Sequence, residues 1–177
     1  MMYTKNDIFV FYEIINDIKP QKVLDVGMFL KCVGSVSRKI MDKKIDESIW
    51  MKGVDFMPEI QFPVFQRIYN ETITLPFFLQ QSHKEEKYDL GILLKNKESN
   101  PDNKKEIVEK MTEMCHYILT NECEISGYCK KEIEDIIAVK VENDEYYILV
   151  LKNDNICVEN LIIGSVKKIN EICRKFF

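Results

Sequence analysis

The sequence has 177 residues, 46% of them hydrophobic and 31% charged, with 29 acids against 25 bases and a net charge of −4. That length predicts one domain, 1–177, with enough chain to bury a core, while the acidic balance and the absence of a basic stretch interleaved with aromatics leave nucleic acid without an electrostatic footing. No apolar run approaches the roughly 20 residues of a membrane helix, and the first segment carries acids and no small-residue cleavage site, so the expected compartment is the cytoplasm.

In chain order, Ile8, Phe11, Tyr12, Ile15 and Ile18 repeat at helical spacing, with Thr4 and Asp7 as a capping pair and Pro20 as the stop. "KVLDVG" (22–27) reads as a short buried strand. After a loop, a helix is expected from Ser35, with Val36, Ile40, Met41 and Ile45 on one face. "IWMKGVDF" (49–56) is a second buried strand ending in an acid, with Trp50 read as core. Pro58 and Pro63 leave room for about one helical turn between them. "FQRIYNETI" (65–73) is a third strand, "LPFFLQQSHKEEK" a loop or short helix, and "YDLGILLK" (88–95) a fourth strand apolar enough to be covered on both faces. Asn103 with Glu106 caps a helix whose apolar face is Ile107, Val108, Met111, Met114 and Cys115. "HYILTNECEI" (116–125) is a fifth strand, two β-rich arms flank an Asn143-Asp144 turn, and Val158 through Cys173 stripe a last helix.

Strands alternating with helices predict a parallel sheet, and the terminal hairpin adds an antiparallel pair. Ligands of such sheets sit at the carboxyl ends of the strands, near the point where strand order reverses. That directs attention to Asp25 through Gly34, to Asp55 and to the residues after the other strands. The six cysteines (Cys32, Cys115, Cys123, Cys129, Cys157 and Cys173) form no CxxC pair, and His83 and His116 stand at no ligand-like distance from them. A metal site is not expected, and the thiols read as small apolar side chains.

Taken in order, "VLDVG…GSVSRKI", "KGVDFMPE", "RIYNETITLPF", "YDLGILL", "EMCHYILTNECE" and the hairpin resemble a class I methyltransferase, over about Val23 to Leu151. The resemblance implies a Rossmann-like α/β three-layer sandwich. Its mostly parallel seven-stranded sheet would close with a C-terminal antiparallel β-hairpin and bind S-adenosylmethionine. Asp25 and Gly27 match the start of the family's first motif. The next alternate positions hold Phe29 and Lys31 in place of glycine, and Gly34 resembles the last glycine displaced by about three inserted residues. Glycine matters there because the ligand must come close to the backbone. Asp55 would take both ribose hydroxyls and Phe56 would cover adenine. Glu71 would stand where an aspartate accepts from the adenine amino group. The plainer readings are a strand-end or capping acid for Asp55 and a solvated loop acid for Glu71.

No Asn-Pro-Pro-Tyr, Pro-Cys, GxxxxGK[ST], GxSxG or GxGxxG occurs. His116 reads as a helix-end histidine or as a base. The resemblance implies methyl transfer from S-adenosylmethionine to a small-molecule substrate, for which the activated sulfonium needs little beyond placement. The alternative is a methyltransferase-like protein without catalysis, whose bulky loop fills the pocket and which serves as a scaffold or subunit for a protein partner. A second copy, as a homo-oligomer, or another protein could complete the substrate contacts, with the last amphipathic helix as candidate surface; the plainer reading of that helix is core packing against the sheet. A different nucleotide-binding module fits the terminal hairpin less well.

Overall fold

The computed structural model describes residues 5–27, 49–56, 61, 63, 69–82, 86–94 and 103–152. Thr4, the loop Met28–Val33, Gly34, the helix expected from Ser35, most of the Pro58 crossover and the helix expected over Val158–Cys173 lie outside the described residues.

Five short strands run parallel: β1 (Lys22–Val26), β2 (Trp50–Asp55), β3 (Glu71–Thr74), β4 (Tyr88–Leu93) and β5 (Cys115–Thr120). The hairpin strands β6 (Ile133–Val141) and β7 (Asp144–Leu151) add the antiparallel pair, with β7 beside β5. The order across the seven-stranded sheet is β3-β2-β1-β4-β5-β7-β6. The chain leaves β3 at one edge and returns on the far side of β1, so strand order reverses between β1 and β4. A crevice at the carboxyl ends is expected there.

The sheet is apolar on both faces, and alternation along each strand sorts its residues. Val23, Met51, Leu90, Ile92, Tyr117, Leu119 and Ile148 pack with Val10, Phe11, Ile14 and Ile15 of helix α1 (Lys5–Ile18). Leu24, Val26, Val54, Ile73, Leu93 and Ile118 face the other way. They meet α2 (Leu75–Gln80) through Leu75 and Phe78, and α3 (Lys104–Met114) through Ile107, Val108, Met111 and Met114. The result is helix, sheet, helix in three layers. Each large apolar side chain buried this way contributes about 1.5–3 kcal/mol before chain entropy is charged against it.

Phe11 and Ile15 lie on the inward face of α1 as the spacing predicts; the side chains of Ile8 and Tyr12 lie outside the described ones. The helix ends with Lys19 in the left-handed region (φ 47°), its amide bonded to the Ile15 carbonyl, just before Pro20. Its first turn is fastened to the hairpin. Asn6 Nδ2 donates to Asp144 Oδ2 at 2.9 Å and Glu142 Oε2 at 3.0 Å, and the buried Tyr146 hydroxyl donates to Asp7 Oδ1 at 2.6 Å.

Four expectations shift. The third strand begins at Glu71, because the Asn70 side chain and amide occupy the ladder positions of Met51 and Tyr69 turns inward instead. The fifth strand starts at Cys115 and stops at Thr120, whose Oγ1 accepts the Glu122 amide at 3.1 Å, and a 3-10 turn over Cys123–Tyr128 follows. The hairpin turn is Glu142-Asn143, one residue early, with Glu142 at φ 54°. Keeping Tyr146 and Ile148 on the α1 face sets that register, which outweighs the preference of Asn-Asp for turns. Asn103 precedes α3 without a side-chain capping bond. Among the described residues, no helix is long and apolar enough to cross a membrane.

Candidate functional site

The carboxyl ends of β1 and β2 lie side by side, with Val26 opposite Val54. The Gly27 amide donates to the Val54 carbonyl at 2.7 Å, extending the ladder one residue past β1. This brings Gly27 to the level of Asp55, the last residue of β2. Asp25 pairs with Gly53, so by strand alternation Asp25, Gly53 and Asp55 share the face on which α1 packs. Both carboxylates have 0% exposure, while Phe56, the next residue after Asp55, is 50% exposed. Asp25, Gly27, Asp55 and Phe56 therefore gather at one tip of the sheet.

Asp25 is held by a residue that spacing did not single out. The Tyr69 hydroxyl donates to Asp25 Oδ2 at 2.7 Å, an ordinary O–H···O length. Tyr69 enters from the start of β3 and crosses β2. It can do so because position 53 is glycine: a Cβ there would lie 2.9 Å from the ring. A glycine inside an apolar strand signals such a close approach, but the sequence does not say which side chain comes.

Glu71 is not brought to this cluster. The strand runs on through Thr72, Ile73 and Thr74, and Thr74 is the residue opposite Asp55. Three residues earlier, about 10 Å down the strand, Glu71 lies opposite Lys52, and its Oε1 sits 2.8 Å from Lys52 Nζ. The β-branched run 72–74 carries the strand on past Glu71. Lys52 is 1% exposed and reaches Glu86 Oε2 at 3.1 Å as well; the Tyr88 hydroxyl also donates to Glu86, at 2.7 Å. Burial, then the Glu86 bond and charge, push the Tyr88 hydroxyl far above the usual phenol range. A lysine in the middle of "WMKGVD" was the available signal for this network. Trp50 begins β2 half-buried rather than in the core. Its ring lies 6.2 Å from that of Tyr88, with Lys22 Nζ 5.1 Å above its centroid.

His116 is the second residue of β5, at the amino end of the sheet and so opposite the Asp25–Asp55 tip. Burial lowers its pKa. That position lies away from the crevice expected at the carboxyl ends of the strands. At the carboxyl end of β5, Glu122 forms an ion pair with Lys104 of α3, tying the start of that helix to the strand tip. Among the described residues, no group of three or more His, Cys, Asp and Glu could hold a metal ion.

No protein-family model matches the sequence, and no curated protein does. Solved structures do match the fold. Human methyltransferase-like protein 13, solved with SAH, superposes with a TM-score of 0.56 at 10% identity, covering 96% of this chain and 91% of its own. An O-methyltransferase from Bacillus cereus, also with SAH, gives 0.56 at 14% identity, with 85% and 82% covered. A TehB-like SAM-dependent methyltransferase from Corynebacterium glutamicum gives 0.55 at 12%, with 82% and 88% covered. With the order β3-β2-β1-β4-β5-β7-β6 and an antiparallel closing hairpin, the chain has the class I methyltransferase fold.

Proposed function

We propose that the chain binds S-adenosylmethionine at the carboxyl ends of β1 and β2 and transfers its methyl group to a small-molecule acceptor in the cytoplasm. The observation that carries this reading is a carboxylate, Asp55, followed by a half-exposed aromatic, Phe56, beside Gly27 at one sheet tip. The residue types fit the group. A carboxylate accepts from two ribose hydroxyls, an aromatic face covers adenine, and a residue without a side chain at Gly27 suits close approach of the methionine portion. Glu71 pairs with Lys52, three residues before the Asp55 level on β3. The cofactor supplies an activated sulfonium methyl, so this chain's contribution is to orient and to exclude water.

Calorimetry with S-adenosylhomocysteine tests the reading. The expected result is a micromolar dissociation constant, weakened about tenfold or more by Asp55→Ala through the lost charge-assisted hydrogen bonds. The second reading is a scaffold or partner subunit with this fold and no catalysis, joined to another protein or a second copy. It is favoured by Phe29, Leu30 and Lys31 standing at or beside the expected glycine positions and by the full burial of Asp55. No detectable heat at high ligand concentration selects it.

A further inference from the structure

The hairpin leaves one long edge of the sheet without a neighbour. β6 runs nine residues, Ile133–Val141, at the end of the strand order, and among the described residues β7 is the only strand beside it. The Val141–Asp144 pair closes the two-residue turn, so Ile137, Val139 and Val141 point their amides at β7. By alternation Ile136, Ala138 and Lys140 point theirs away from it, and all three residues are exposed, Ile136 to 42%. An edge of this length, rich in Ile, Ala and Val, offers its outward amides and carbonyls as a template for another strand. The strand of matching length and pattern is β6 of a second copy, laid antiparallel about a two-fold axis so that the seam uses the same residues twice.

Asp135 obstructs that pairing in two ways. Its Oδ1 accepts the Ile136 amide at 2.8 Å, so an outward donor of the strand is already engaged. It also stands opposite Val150, just past the irregularity between Ile133 and Asp135, and so on the α1 side of the sheet with Val139 and Val141. In an antiparallel seam centred on the strand, its exposed carboxylate would come against the Val139–Val141 stretch of the second copy and lose water beside apolar side chains.

We infer that Asp135 guards the β6 edge: by holding the Ile136 amide and by carrying charge into the seam, it keeps a second copy of this chain from adding its own β6. A seam one strand wide is a small interface, so one engaged carboxylate per copy is enough to decide between pairing and separation. The inference stands apart from the cofactor reading and survives its failure.

Sedimentation equilibrium at about 100 µM tests it, with thermal unfolding measured on the same samples. The unmodified chain is expected as a monomer of 21.0 kDa. Asp135→Ala frees the Ile136 amide and removes the charge in both copies at once, and should strengthen self-association at least about tenfold, moving the mass toward that of a dimer. Ile136→Pro added to Asp135→Ala takes away the outward N–H and leaves the bonds to β7 in place, and should restore the monomer. Asp135→Val serves in the same way if Asp135→Ala does not yield folded protein. An unmodified chain already paired at this concentration overturns the inference, as does an Asp135→Ala variant no more associated than the parent. Association that persists after Ile136→Pro overturns it too, because another surface then makes the contact.

Discussion

Gly91 lies in β4, and a Cβ built there would stand 2.7 Å from Cys115 Sγ and 2.8 Å from Met111 Cε. Gly91→Ala must restore ordinary contact of about 3.5 Å, so each neighbour has to retreat by somewhat less than 1 Å. Met111 ends in a flexible methyl and can turn. Cys115 cannot easily follow: its amide closes α3 on the Met111 carbonyl, and its backbone pairs with Tyr88. Overpacking of this kind costs about 1–3 kcal/mol, offset by roughly 0.4–1 kcal/mol from the stiffer unfolded chain. A net loss of about 1–2 kcal/mol is expected, equivalent to about 2–8 °C in melting temperature for a chain of this size. Cys115→Ala alone should cost about 1 kcal/mol by emptying a small buried volume. The double variant, with the new methyl in that space, should lose less than the sum by about 1 kcal/mol. Urea unfolding followed by far-UV circular dichroism and by emission of the lone Trp50 measures all four proteins. A Gly91→Ala variant within about 0.5 kcal/mol of the parent, or strict additivity, would refute the steric argument.

Lys110 Nζ donates to the carbonyls of Phe78, Leu79 and Gln81 at the end of α2, and burial lowers its pKa. Lys110→Met should cost about 1–2 kcal/mol and speed amide exchange in α2, read by hydrogen-exchange mass spectrometry. Burial pushes the Cys115 thiol far above the usual thiol range and Cys129 up to about 11, whereas Cys123 is exposed. Among these three thiols, labelling at pH 8 should therefore modify Cys123 first, Cys129 slowly and Cys115 only on unfolding; early Cys115 labelling, located by peptide mapping, contradicts its packing. The His116 pKa is lower folded than unfolded, so between the two values the unfolded chain binds more protons and stability falls as pH drops below about 6.5. His116→Gln should flatten the stability profile below about pH 6.5, and an unchanged slope by urea titration would assign the loss to other groups.

Much of the fold could be read from periodicity, because buried parallel strands demand near-continuous apolar runs and the helices demand a stripe. "KVLDV", "YDLGIL" and the α3 stripe left little choice of partner. Ends were less legible. Asn70 truncates β3 by offering its amide side chain to Met51, and Thr120 ends β5 with its hydroxyl; both act through local polar bonds that leave no periodic trace. Of the candidate site, Asp25, Gly27 and Asp55 stand at strand ends that the parallel-sheet pattern already marked, whereas Phe56 came only from the resemblance. Glu71 was assigned by its distance from Leu-Pro-Phe along the chain. Its strand continues instead of turning, and Lys52 across the ladder captures it. Tyr69 was hidden for the opposite reason. Its importance depends on a missing side chain at position 53, a relation between strands that one strand's pattern does not contain.

The fastening of α1 to the β6–β7 turn bears on the order in which the molecule can assemble. Asn6 and Asp7 meet partners 136 to 139 positions further along the sequence, so the first described helix has no finished seat until the last described strands exist. Such distant closure makes folding slow relative to a chain built from neighbouring contacts. During synthesis the inner stripe of Val10, Phe11, Ile14 and Ile15 gains part of its cover from β1, β2, β4 and β5, and the rest only when the hairpin arrives.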